Sequence, residues 1–209
     1  MTQRLADGVR TFRAVEFPRR RRQFKALASG QSPDTLFVTC SDSRIDPSLV
    51  TQTDPGDLFV IRNAGNLIPR FGSEPVGGEA ATLEYAVLGL GVKDIVICGH
   101  SHCGAMAGLL APDSLLGLPQ VSAWLRHART TLERVSAAPS DAPGEAAIET
   151  NVVVQLESLR SYPFVALREV RGDLTLHGWV YDFETGEVLE LQPDGTFASL
   201  SDRPSIGNA

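Results

Sequence analysis

Among the 209 residues there are three cysteines, four histidines, two methionines and only two lysines, Lys25 and Lys93. Cys40, Cys98 and Cys103 are too few, and odd in number, for a disulfide framework. In a reducing compartment their remaining roles are buried thiol, nucleophile or metal ligand. No apolar run approaches the roughly 20 residues of a transmembrane helix. The opening stretch Met1-Thr2-Gln3-Arg4-Leu5-Ala6-Asp7 leads into no apolar signal-peptide core. No membrane is therefore expected as a partner, and a cytoplasmic location is the default. Basic residues are not in excess: 19 Lys and Arg against 25 Asp and Glu give a net charge of −6, which makes a nucleic-acid backbone an unsuitable partner. No internal repeat is found. The chain is 43% hydrophobic and 21% charged, too apolar for wholesale disorder, and its length suits one domain over residues 1–209.

Hydrophobic spacing organises the chain. Val9, Phe12 and Val15, then Phe24 and Leu27, predict a helical arm over residues 5–29, with Pro18 breaking it in the first turn of a second helix. The run Arg19-Arg20-Arg21-Arg22 is a candidate anion or partner contact, but in an acidic chain it reads better as a solvated helix face. Thr35 to Cys40, Leu58 to Ile61 and Asp94 to Cys98 are short β-rich runs without clean alternation, as expected of strands buried on both faces. Asp46-Pro47 reads as an N-cap followed by proline at the first helical position. Ala64 to Gly78 is Gly- and Pro-rich loop. Helices are predicted over 79–90 with Gly91 as a stop, over 121–135 and over 146–159, with a connector over 136–144. Leu174 to Tyr181 and Glu187 to Gln192 flank Glu184-Thr185-Gly186, a hairpin signal. The tail over 202–209 is expected to be loose. Together these predict an α/β fold: a mainly parallel central sheet flanked by helices, with an N-terminal helical arm and a C-terminal hairpin.

The chemistry gathers at two strand ends. Cys40 ends one buried run, and Gly99-His100-Ser101-His102-Cys103-Gly104 follows another. Loops beyond the carboxyl ends of parallel strands form the binding crevice of such sheets, so Cys40, His100 and Cys103 are candidates to converge across about 60 residues of chain. Two thiolates and an imidazole suit zinc, and three protein ligands leave a fourth position open, the pattern of a catalytic site. Asp42 and Arg44 share the loop after Cys40, where a carboxylate–guanidinium pair either orients a water at the metal or only stabilises the turn. Cys98 reads as strand packing. His102 alternates with His100 and is expected to face elsewhere.

Cys40-Ser41-Asp42-Ser43-Arg44 followed by Gly99-His100-Ser101-His102-Cys103-Gly104 resembles the β-class carbonic anhydrases. The similarity continues through Asp57 to Asn66, Gly77-Gly78-Glu79, Glu84-Tyr85-Ala86 and His177 to Asp182, and covers roughly Phe17 to Leu189. The resemblance implies one Zn²⁺ per chain on Cys40, His100 and Cys103, with Asp42 and Arg44 as a dyad beside it. In the family that aspartate also takes the fourth zinc position in an inactive form. It implies substrate contacts of the plant-like subgroup at Gln31, Phe59, Tyr85 and Gly104. A bacterial subgroup carries tryptophan in an inhibitory bicarbonate site where this chain has Phe37, so that regulation is not implied. The implied activity is reversible hydration of carbon dioxide to bicarbonate and a proton by attack of zinc-bound hydroxide, with activity rising toward mildly alkaline pH. The implied assembly is a homodimer or a dimer-based oligomer in which the arm wraps the partner. Hydrolysis of carbonyl sulfide or carbon disulfide on the same scaffold is the nearest alternative. A non-catalytic zinc-stabilised binding or redox protein is another, with a closed site including Cys98 or His102, or a Cys98–Cys103 disulfide.

Overall fold

The structure, a computed structural model, describes residues 2–138 and 140–202. It divides into two compact units, Met1–Ser32 and Pro33–Ala209. Residues 203–209, most of the segment expected to be a loose tail, lie outside the described residues.

In the N-terminal unit, α1 (Thr2–Thr11) continues through a π-helical turn over Phe12–Glu16 into the short α2 (Phe17–Arg19) and then α3 (Arg21–Leu27). Pro18 lies near the start of α2 but in helical backbone continuous with the π-helical turn, so the expected break does not fall there; it comes at Arg20, whose backbone leaves helical geometry. Phe12, Phe17 and Phe24 pack on one another with ring centroids 5.5–6.2 Å apart. Leu5, Val9, Phe12 and Val15 stay exposed, and so do Arg19, Arg20, Arg21 and Arg22, as a solvated face requires.

The second unit is built on a six-stranded sheet: β1 (Thr35–Cys40), β2 (Leu58–Asn63), β3 (Asp94–His100), β4 (Thr175–Tyr181), β5 (Val188–Leu191) and β6 (Phe197–Ser199), in the order β2-β1-β3-β4-β5-β6. The first four are parallel, and β5 and β6 add antiparallel. The hairpin thus gains a third strand that the sequence did not announce. β1 and β3 are buried along almost their whole length, which accounts for their unbroken apolar character. The chain leaves β1 for β2 on one side, then crosses to β3 on the other, so the carboxyl ends of β1 and β3 form the switch point where an open α/β sheet makes its crevice. Cys40 ends β1, and β3 runs two residues past the predicted Cys98 to end at His100.

The helices are α4 (Pro47–Thr51), α5 (Gly78–Glu84), α6 (Gly104–Leu110), α7 (Pro119–Leu125), α8 (Arg129–Ala137), α9 (Pro143–Arg160) and α10 (Pro163–Val170). Asp46 caps α4 through its carboxylate, which accepts from the amides of Ser48 and Leu49, and Pro47 opens the helix. The predicted 79–90 helix is α5 followed by a π-helical stretch to Leu90, and Gly91 ends it at φ 73°. The single helix predicted over 121–135 is instead α7 and α8, separated by a 3₁₀ turn over Arg126–Ala128. Periodicity alone does not register such a turn, because the buried positions stay nearly in phase across it. α6 and α10 were not predicted; both are short.

The long helix α9 lies against β3 and β4. Its close approach needs a residue without Cβ at Gly178, where an added carbon would stand 2.8 Å from Val152 Cγ1 and 3.0 Å from Leu156 Cδ1. The main core joins these helices to Leu36, Val38, Ile95 and Ile97, while Phe37, Ile45, Val96 and Cys98 form a smaller cluster with Trp179, Tyr181 and Phe183. Among the described residues no helix is long and apolar enough to cross a membrane.

Candidate metal centre

Parallel register sets the site. Thr39 of β1 pairs with Cys98 of β3, so Cys40 and His100 leave adjacent strands at nearly the same level. After His100 the chain makes a tight turn in which His102 adopts φ 54°, and Cys103 then caps the start of α6. The two sulfurs and a ring nitrogen of His100 all lie within 4.8 Å of one another, and all three residues are buried. Among the described residues no other group of three His, Cys, Asp or Glu is gathered in this way.

The protonation pattern fits a soft divalent cation. His100 Nδ1 lies 2.8 Å from the Ser101 carbonyl, an acceptor that fixes Nδ1 as the N–H. Nε2 is therefore left with its lone pair, buried and without a hydrogen-bond partner. Such an orphaned nitrogen beside two thiols is costly unless something electrophilic is held there. The Cys40 and Cys103 thiols act on each other in opposite directions. The hydrogen bond between them draws the Cys40 thiol well below its ordinary range against the opposing effect of burial, and the same bond with burial pushes Cys103 up. Burial acts to lower the His100 pKa, but the neighbouring Cys40 sulfur and the Ser101 carbonyl outweigh it and the net direction is up. A bound dication would take the place of the thiol protons.

The loop after β1 brings up the dyad. Asp42 Oδ1 accepts from the Arg44 backbone N–H at 3.0 Å, a local turn. Arg44 then closes on the same carboxylate with Nε to Oδ1 at 3.0 Å and an Nη to Oδ2 at 2.8 Å. This grip holds the Asp42 carboxyl far below the usual carboxylate range. The same guanidinium donates to the His102 carbonyl at 3.1 Å, so it ties the two strand-end loops together. Its plane lies 4.6 Å from the Phe183 ring, which also packs on His100 at 4.9 Å. Arg62 clamps the loop from β2, donating to the carbonyls of Cys40, Asp42 and Ile45 at 2.7–3.0 Å.

A family model described as carbonic anhydrase matches residues 35–188, a span that contains the cluster and the dyad. The chain is 47% identical over 208 residues to the carbonic anhydrase of Pseudomonas aeruginosa, covering 97% of this chain and 93% of that one. It is 48% identical over 193 residues to that of Synechococcus elongatus, covering 90% of this chain and 71% of the relative. It superposes on the solved β-carbonic anhydrase CcaA with a TM-score of 0.91 at 46% identity, over 95% of this chain and 91% of the other. The chain belongs to the β-class carbonic anhydrase family. A solved β-carbonic anhydrase of Sordaria macrospora, one of two described as tetrameric, superposes with a TM-score of 0.79 at 29% identity, over 94% of this chain and 98% of that one.

Within this carbonic anhydrase chain, Cys40, His100, Cys103, Asp42 and Arg44 come together, and Gly104 follows directly as the first residue of α6. Phe59 and Tyr85 pack on each other at 5.9 Å but away from the cluster. Phe59 pairs with Leu36, four residues before the Cys40–Asn63 pair, about 13 Å back along the strands. Gln31 is exposed in the N-terminal unit. Cys98 stays in the strand, fully buried, with burial pushing its thiol up to about 12. His102 turns outward to Glu184 at 3.4 Å. The three cysteines are free thiols. Sequence reasoning assigned nothing to Arg62, Phe183, Trp124, Asn151 or Gln155. Asn151 and Gln155 carried a signal: two amides four apart, on one face of an otherwise apolar helical run.

Proposed function

We propose that the chain holds one zinc ion on Cys40, His100 and Cys103 and catalyses CO2 + H2O ⇌ HCO3⁻ + H⁺. The carrying observation is the convergence of two thiols and a lone-pair imidazole nitrogen beside an ionised, clamped carboxylate. When bound, zinc supplies the Lewis acidity that makes water a competent nucleophile near neutral pH, less strongly with two thiolates than with three imidazoles. Asp42, kept anionic by Arg44, accepts a hydrogen bond from the attacking water and turns its lone pair toward the substrate carbon. Arg44 fixes the direction of that carboxylate through two parallel bonds. The Gly104 amide donates to a substrate oxygen. Phe59 and Tyr85 exclude water. Because Phe59 lies four residues back along the strands from the Cys40–Asn63 pair, with Tyr85 packed on it, the two serve the pocket of a second copy in this reading, in a homodimer or an assembly of dimers. The exposed apolar row Leu5, Val9, Phe12 and Val15 of the N-terminal unit supports such an assembly, as does the tetrameric description of the Sordaria relatives. A cytoplasmic setting, where thiols stay reduced, suits the ligand set.

Stopped-flow CO2 hydration by metal-assayed protein across pH tests the reading. Activity that rises from acid toward mildly alkaline pH is expected. A flat profile, or no turnover at full zinc occupancy, refutes it.

A further inference from the structure

Cys40 has a third neighbour besides the two other candidate ligands. The Gly65 amide N–H donates to its sulfur at 3.4 Å. Gly65 is held at φ +85°, a conformation that favours glycine, and an added Cβ would crowd Ala105 Cβ at 3.0 Å and Met106 Cε at 3.2 Å. What aims that N–H is the orientation of the Ala64–Gly65 peptide. In a planar trans peptide the C=O and the N–H point in opposite directions, so whatever holds the carbonyl also aims the amide. The Ala64 carbonyl accepts from the indole Nε1–H of Trp124 on α7 at 2.8 Å. The next carbonyl, of Gly65 itself, accepts from Asn151 Nδ2 on α9 at 3.0 Å. Both peptide planes flanking Gly65 are thereby pinned from outside the loop.

The pin is itself braced. Asn151 Oδ1 accepts from Thr131 Oγ1 at 3.2 Å and from Gln155 Nε2 at 3.0 Å, and Gln155 Oε1 accepts from the Ile68 amide at 2.8 Å. Thr131, Asn151 and Gln155 are at most 1% exposed. An ordered chain of buried amides in an apolar helix has a cost, and here it reaches the loop that touches the Cys40 sulfur at two points, the Gly65 carbonyl and the Ile68 amide.

We propose that Trp124 and Asn151 are positioning residues that hold the Ala64–Gly65 peptide so that its N–H stays on the Cys40 sulfur and limits the charge that this thiolate gives to the metal. The proposal rests on the zinc reading above. A sulfur that accepts a hydrogen bond donates less charge, and a less neutralised metal acidifies water more strongly. Trp124→Phe removes the indole donor while keeping an aromatic ring in place.

The test uses full-length protein loaded with cobalt(II), whose thiolate-to-metal absorption reports charge on sulfur, beside zinc affinity from chelator competition. In Trp124→Phe the band is expected to move to longer wavelength, zinc affinity to change by about tenfold, and the pH of half-maximal activity to rise. A folded Trp124→Phe protein with unchanged band and affinity overturns the proposal. If that variant does not fold, wild type loaded with ¹¹³Cd answers by NMR. Coupling between cadmium and the Gly65 amide proton supports the hydrogen bond to the ligand sulfur, and its absence overturns it. Cys40→Ser serves as the separate check on the site: a wild-type cobalt spectrum there overturns the ligand set itself.

Discussion

Replacing Cys98 and Cys103 separately by serine distinguishes a three-ligand centre from one that recruits every cysteine nearby. Cys103 contributes a sulfur to the 4.8 Å cluster, whereas Cys98 lies fully buried in β3 with its thiol donating to the Gly99 carbonyl at 3.4 Å. With its pKa near 12, Cys98 is neutral throughout the working range and unsuited to bind a cation. In Cys98→Ser the hydroxyl can keep the bond to Gly99, but it is more polar and smaller than the thiol. The cost should be about 1–2 kcal/mol, a fall in Tm of roughly 2–8 °C for a chain of this size, well inside the roughly 5–15 kcal/mol stability of a typical domain. That variant should therefore fold, bind one zinc and turn over CO2. Zinc at a hundredfold excess over its Kd adds about 2.7 kcal/mol to stability, worth roughly 5–10 °C. A chelator should lower Tm by that amount in wild type and Cys98→Ser, and by nothing in Cys103→Ser, which should arrive without metal and without activity. Metal analysis, thermal unfolding with and without chelator, and stopped-flow turnover give three readouts on the same samples. Equal loss of zinc from both variants would refute the ligand assignment, and full retention in Cys103→Ser would do the same.

Arg44→Gln should lower CO2 hydration about 10–100-fold while zinc is retained, since the carboxylate loses its orientation but the ligands do not change. Wild-type activity with bound zinc in this variant would remove the dyad from the mechanism. The sign of the pH effect on stability follows from the direction of the Asp42 shift. A depressed folded-state pKa stabilises the fold above the ordinary carboxylate range, and this is lost as pH falls toward the folded value. The difference in urea midpoint between wild type and Arg44→Gln should therefore be present at pH 6 and shrink at pH 3, and a difference that grows on acidification contradicts it. Gly178→Ala should cost about 1–3 kcal/mol, because its Cβ presses Val152 and Leu156 of α9 away from the sheet, and an unchanged Tm would show that α9 can move without penalty. Removing residues 1–32 should dissociate the assembly in sedimentation experiments, and a stable, fully active monomer would refute the homodimer reading.

Two sequence blocks are enough to identify the chemistry of this chain because the residues that carry it are local to strand ends. A buried β-run that stops at Cys40, and another that stops at His100 before a glycine-bounded turn to Cys103, place three soft donors wherever a parallel sheet brings those ends together. Asp42 and Arg44 are two residues apart, and their pairing needs only a turn. The N-cap at Asp46, the stop at Gly91 and the separation of Cys98 from the Cys40–His100–Cys103 cluster were legible for the same reason: each depends on neighbours in the chain. Tertiary structure decided what depends on distant partners. Register, not motif, set Phe59 four residues back along the strands from the Cys40–Asn63 pair, and packing set Tyr85 against it. The 3₁₀ turn that splits α7 from α8 left no trace in hydrophobic spacing, yet Trp124 on α7 reaches the Ala64 carbonyl 60 residues away. Arg62 bonds to Cys40, Asp42 and Ile45, Phe183 lies under Arg44, and Asn151 holds Gly65. Each matters through a carbonyl or ring supplied by another element, and such partners meet only when the sheet and α9 have packed.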